Sequence, residues 1–151
     1  MPSLPGPERF ERRILFFTCA GHTLTHVFIH LFTAIQGEMR ESFGLSDEGM
    51  TGLASISVVL FGAGAIPAGL LSDRLGEKPL LVAFYALSAT GALVVGVSQA
   101  IWQLGLGFAL IGIGPSIYHP GGLFLFSKGL RKPGSGMGIN GLVGSIGTAL
   151  S

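Results

Sequence analysis

Charged residues are scarce in this chain: Asp, Glu, Lys and Arg make up 11% of its 151 positions, against about a quarter in soluble domains. With 48% hydrophobic residues and a mean hydropathy of +0.64, that shortage excludes an ordinary soluble domain and points to an all-α integral membrane protein. A net charge of +1 leaves no basic face for nucleic acid. The single cysteine, Cys19, excludes an intramolecular disulfide and offers no metal-ligand spacing; it is expected to pack as a small apolar residue. Catalytic patterns are missing too. No nucleophile stands with its base and no Walker-type phosphate loop occurs, so the expectation is no enzyme, no cofactor and no resident metal. The first apolar run, from Ile14, is too long for a signal-peptide core and lacks a small-x-small exit, so it reads as a retained helix.

What is present is a series of apolar runs. Each span needs about 20 apolar residues, so the length holds four or five helices. Residues 1–13 form a polar cytoplasmic tail with Pro2, Pro5 and Pro7, and helices are expected at 14–36, 49–71, 80–97, 101–126 and 134–151. The last is short of a full span, which suggests part of a longer protein. Ser46 is placed to cap the second helix, with Asp47 and Glu48 in its positive first turn. Gly62, Gly64, Pro67 and Gly69 predict close packing and a bend in that helix, and Pro115 and Pro120 predict bends in the fourth. Trp102 is an interfacial anchor. A cytoplasmic N-terminus puts Arg9, Arg12, Arg13, Arg74, Lys78, Lys128, Arg131 and Lys132 inside, leaving only Arg40 outside. The positive-inside rule therefore favours a multi-pass cell (inner) membrane protein in that orientation.

Between the second and third apolar runs lies Gly69-Leu-Leu-Ser-Asp73-Arg74-Leu-Gly76-Glu-Lys78. Its pattern resembles the signature between helices two and three of the major facilitator superfamily, G-x-L-[AS]-D-[RK]-x-G-[RK]-[RK]. Glu77 departs from the first basic position after the second glycine, and the basic residue that trails the signature is absent. The resemblance implies the N-terminal part of that fold, helices one to four and most of a fifth, whose partner is a second six-helix half outside this chain. It also implies that Gly69, Asp73, Arg74, Gly76 and Lys78 belong to a cytoplasmic gate, and that the first and fourth helices line the cavity. Other implied partners are the lipid bilayer, a small-molecule substrate and protons, with alternating access as the mechanism.

His22, His26 and His30 recur at spacing four on the first helix, about 6 Å apart in rise and on one face. Ionisable groups in a span tend to face a cavity or the bundle interior. His119 precedes Pro120 on the fourth helix. His22 and His119 lie at similar depths, roughly 10 to 12 Å from the cytoplasmic ends of their helices. Because histidine changes charge near neutral pH, His26 and His119 are the candidate core of a proton or substrate site, with His22 and His30 lining the path. The competing expectation is that each imidazole satisfies a nearby carbonyl or a threonine such as Thr23 or Thr25.

Gly112-Ile-Gly114-Pro115 through His119-Pro120, the early His22 and Gly144-Ser-Ile-Gly147 resemble the fosmidomycin-resistance branch of drug exporters. That branch has an acidic residue near the position of His26 and usually a glutamate where this chain has Gly121. Gly136-Met-Gly138-Ile-Asn-Gly141 matches G-x-G-x-x-G formally, but no strand precedes it. Gly138, Gly141, Gly144 and Gly147 instead predict a smooth packing surface on the fifth helix. The alternative to a transporter is a non-transporting membrane module in which the histidines hold a haem or a metal.

Overall fold

The computed structural model describes residues 7–149, apart from the side chains of Pro7, Leu31, Leu123 and Ser127. Five helices follow one another: α1 Pro7–Phe43, α2 Asp47–Leu75, α3 Glu77–Gly96, α4 Ile101–Gly129 and α5 Pro133–Ala149. Four of them, α1 to α4, are long and apolar enough to cross a membrane. Residues 1–6 of the expected tail, with Pro2 and Pro5, and 150–151 of the expected fifth helix lie outside the described residues.

The helices overrun the apolar windows at both ends. Residues 7–13, expected as tail, already belong to α1, and Glu38, Arg40 and Glu41, expected in a connection, are its last turns. At 37 residues and about 1.5 Å per residue, α1 is longer than the roughly 30 Å hydrocarbon core. Hydropathy marks where a helix leaves lipid, and the helix itself continues into water. Glu8 in the first turn and Arg40 in the last complement the helix dipole. Arg40 also pairs with Asp47 at the start of α2. Ser46 accepts a hydrogen bond from Gly49 N–H at 3.2 Å, capping α2 as its position predicts.

The charged stretch between α2 and α3 shrinks to one residue. Leu75 ends α2, Glu77 begins α3, and Gly76 between them takes φ +77°, a conformation that glycine alone adopts without a Cβ clash. Its N–H donates to Ser72 O at 3.0 Å. Asp73 and Arg74 are therefore helical, as are Glu77 and Lys78, which corrects the expectation of an eight-residue loop.

α4 is the centre of the bundle: half of its apolar window is buried, against 11% of that of α2. α2 and α3 pack on it, and α5 packs on α1. Glycines set these approaches. A Cβ at Gly112 would stand 2.5 Å from Ser57 O on α2, and one at Gly91 on α3 would stand 2.9 Å from Gly107 O. Pro115 and Pro120 lie inside an unbroken α4, and Pro67 inside an unbroken α2. Gly62 and Gly69, expected to make close contacts, face open space, and only Gly64 of that run touches a neighbour, Ser116.

Two apolar clusters hold the ends of α1. Met39, Met50, Leu53, Leu104 and Phe108 pack at one end, and Ile14, Phe126 and Leu130 at the other. Between them lies a polar band. On the outside, Val58, Val59, Ile66, Leu70, Val82 and Trp102 are each more than 60% exposed, a surface for lipid or for further helices and not for water.

Candidate functional site

The polar band begins with Thr18, Gly21 and Thr25, all buried on one face of α1. Tyr118 of α4 lies against Gly21, where a Cβ would meet its ring at 2.8 Å, and donates its hydroxyl to Thr18 O at 2.7 Å. The same hydroxyl oxygen is 3.0 Å from the Asn140 side chain of α5. A phenol has one proton, so both contacts are satisfied when the amide turns its NH2 toward Tyr118.

His22 stands at the centre of the cluster. Its Nδ1 donates to the backbone carbonyl of Asn140 at 2.8 Å, and its Nε2 is 3.2 Å from His26 Nε2. The ring stacks on Tyr118 with centroids 5.5 Å apart and meets His119 edge-on at 5.6 Å. His119 in turn meets Phe61 of α2 at 5.8 Å. His30 stacks on the far side of His26 at 6.5 Å. All four histidines expected from the sequence thus form one connected group, arranged around His22 and not around a direct His26–His119 contact.

Of the competing partners expected for the imidazoles, His22 uses a backbone carbonyl, that of Asn140, and neither threonine bonds an imidazole. Thr23 donates to Cys19 O at 3.2 Å and approaches Val143 O at 3.4 Å, while Thr25 Oγ1 is buried with no hydrogen-bond partner among the described residues. The carbonyl that His22 finds belongs to another helix. No group of three or more His, Cys, Asp or Glu among the described residues is disposed to hold a metal ion. Both ring nitrogens of His22 are engaged, so neither is free to ligate a haem iron in this arrangement.

α5 reaches the cluster through its small residues. Gly136, Asn140, Gly144 and Gly147 are buried, and a Cβ at Gly144 would lie 2.5 Å from His22 Nδ1 and Cε1. Gly138 and Gly141, expected in the same stripe, have nothing within 4 Å. The stripe begins two residues earlier, at Gly136, and includes Asn140. That asparagine was the missed residue. Its signal was a lone amide in the middle of an apolar, glycine-rich helix, where polar groups bind a neighbour.

The gate residues lie apart from this cluster, at the end of α2. Asp73 lines a groove of about 360 Å³ with Gly69, Ser72, Leu70, Pro120 and Phe124. Asp73, Arg74 and Lys78 are exposed and make no ion pair among the described residues. At the neighbouring end of α4, Lys128 Nζ sits 3.8 Å over the Phe124 ring, and Arg131 pairs with Glu11 of α1 at 2.7 Å. An apolar pocket of about 240 Å³ between α1, α2 and α4 is lined by Ile29, Ser57, Val58, Phe61, Ile111 and Gly112. Phe61 joins this pocket to His119.

The family model described as Major Facilitator Superfamily matches residues 14–151. The inner membrane transport protein YajR of Escherichia coli (strain K12) is 38% identical over 81 residues, 54% of this chain and 16% of that protein. The multidrug resistance protein MdtG of Proteus mirabilis (strain HI4320) is 33% identical over 126 residues, 82% of this chain and 30% of its own length. The multidrug resistance protein MdtH of Sodalis glossinidius (strain morsitans) is 35% identical over 52 residues, 34% of this chain and 13% of its own. The chain thus spans less than a third of these relatives. No solved structure matches it significantly. None of the named relatives carries the fosmidomycin-resistance name.

Proposed function

The chain belongs to the major facilitator superfamily, and on that premise we propose that it forms the N-terminal part of a proton-coupled secondary transporter of small molecules, with drug efflux as its activity. The observation that carries the proton coupling is the histidine cluster. The imidazoles of His26 on α1 and His119 on α4 both meet His22 between the two apolar ends of α1, in a span where ionisable side chains are costly and mark ion or substrate paths. Histidine gains and loses its charge near neutral pH, so a set facing the cavity binds a proton on one side and releases it on the other. The multidrug-resistance names of two relatives support drug efflux.

In this reading the exposed Asp73, Arg74 and Lys78 are half of a cytoplasmic gate, and the other half comes from a second set of six helices. Rocking of the two halves about the midplane gives alternating access. Eight of the nine basic residues fall on one side of the membrane when the N-terminus is cytoplasmic, which supports that orientation.

The test uses the protein made from its complete reading frame, reconstituted in liposomes, with export of a panel of fluorescent drug-like dyes followed against an imposed pH gradient. His26→Ala and His119→Ala should each weaken or abolish the pH dependence. Unchanged pH dependence in both variants overturns the proposal.

A further inference from the structure

We infer that α5 fixes the tautomer of His22 and so makes the His22–His26 pair a store for one proton, open at His26 and closed at His22; this deepens the proton-coupled reading and rests on it. The argument begins at the Asn140 carbonyl, 2.8 Å from His22 Nδ1. A carbonyl oxygen only accepts, so Nδ1 carries its hydrogen. In the neutral ring Nε2 then presents a lone pair, and His26 Nε2, 3.2 Å away, must be the donor. That leaves His26 Nδ1 as the one nitrogen of the neutral pair with no hydrogen and no hydrogen-bond partner among the described residues.

A proton therefore enters at His26 Nδ1. The Nε2–H bond of His26 breaks as its proton moves across the 3.2 Å contact, and a new N–H bond forms at His22 Nε2. One proton has entered and none has left. His26 is again neutral, now with its hydrogen on Nδ1, and His22 is an imidazolium with both N–H groups bonded, one to His26 and one to Asn140. The proton goes no further, because the carbonyl does not take up the Nδ1 hydrogen. A second proton is opposed, since it would place two imidazolium rings with centroids 4.9 Å apart.

The surrounding titratable groups come from α1 and α4, with Tyr85 of α3 beyond them, its hydroxyl donated to Phe17 O at 2.6 Å. His30 and Cys19 share α1 with the pair, and His119 and Tyr118 face His22 from α4. α2 meets the cluster through Phe61, and described α5 carries no titratable side chain. What α5 supplies is position. Asn140 is pinned by Tyr118, which also bonds Thr18 O, and only a glycine at 144 lets the imidazole lie against the helix. Displacing α5 breaks the Nδ1–H···O bond, frees His22 to change tautomer and opens the store.

The experiment is nitrogen-15 spectroscopy of histidine-labelled complete protein in nanodiscs, with His22 assigned from a His22→Gln sample. In spectra taken between about pH 8 and pH 5, the first proton bound by the pair should leave His22 Nδ1 protonated and change its Nε2 from lone pair to N–H. An Nε2–H tautomer of His22 at the neutral end, or two protons bound within that range, overturns the inference. A second arm separates position from packing. Gly144→Ala presses on the ring, whereas Gly147→Ala puts a Cβ 2.9 Å from Thr23 Cα and its carbonyl in the same interface, away from any imidazole. Gly144→Ala should move the pH midpoint of transport by about half a pH unit or more, an at least roughly threefold change in proton concentration. Gly147→Ala should lower the rate without moving the midpoint; where transport by the parent has a pH midpoint, equal shifts in both variants, or in neither, overturn the inference. Expected spectra with pH-blind transport would support the store and overturn the coupling reading. The wrong tautomer with pH-dependent transport removes the store alone.

Discussion

Tyr118 on α4 donates its hydroxyl to the backbone carbonyl of Thr18 on α1 at 2.7 Å, and both residues are buried, at 2% and 0% exposure. The bond joins two helices under the His22 ring, and the amide of Asn140 brings in a third. A single hydroxyl thus ties together the three elements that shape the histidine cluster.

Tyr118→Phe keeps the ring that stacks on His22 and Phe84 and removes only that hydroxyl. The Asn140 amide and one lone pair of the Thr18 carbonyl lose their partner in a buried site, at a cost of about 1–3 kcal/mol. The expected result is a lower Tm of the purified protein in detergent. A Tm equal to that of the parent would mean that the bond does not join these helices.

Glycine register provides a second prediction, because only some glycines here touch anything. A Cβ at Gly112 would meet Ser57 O at 2.5 Å and Ser57 Cα at 2.8 Å, both backbone atoms that cannot rotate away. Gly112→Ala should therefore push α2 from α4 and cost about 1–3 kcal/mol, as overpacked cores do. Gly62→Ala, with nothing within 4 Å, should change little. The yield of monodisperse protein and the Tm rank the two variants, and the reverse order would refute the helix packing.

Helix number and the matching depth of His22 and His119 were legible in the sequence because both follow from apolar spacing; the structure adds their edge-on contact. Helix ends were not, since residues such as Glu38 and Glu41 stay helical after leaving the apolar window. Nor was the centre of the histidine cluster. Spacing puts His22, His26 and His30 on one face of α1 but does not tell which of them a neighbouring helix will seize, and that choice is made by Asn140 and Gly144 on α5. The same limit applies to the glycines of α2. Gly62, Gly64 and Gly69 look alike in sequence, and only the position of α4 selects Gly64 for contact.

Orientation can be checked with single cysteines in a Cys19→Ala background. Gln99, exposed beside the α3–α4 turn, and Lys132, exposed just before α5, lie at opposite ends of α4. A membrane-impermeant maleimide applied to intact cells should label Gln99→Cys and reach Lys132→Cys only after permeabilisation. The opposite labelling would reverse the orientation drawn from the basic residues.

The gate reading makes a sharper claim, because Asp73 forms no ion pair among the described residues. Asp73→Asn removes a charge from an exposed position, so its effect on stability should stay within about 0.5 kcal/mol. A gate that closes on another set of helices, by contrast, needs that carboxylate in every cycle, and dye export should fall while membrane insertion and Tm hold. Glu77→Lys runs the other way. It introduces the basic residue that the superfamily signature carries at this position, and it forfeits about 0.3–1 kcal/mol of favourable interaction between a first-turn carboxylate and the α3 dipole. Export should therefore persist in Glu77→Lys despite a slightly lower Tm. If Asp73→Asn exports dye normally, or if Glu77→Lys stops export, the residues around Gly76 are only a connection between two helices and not a gate.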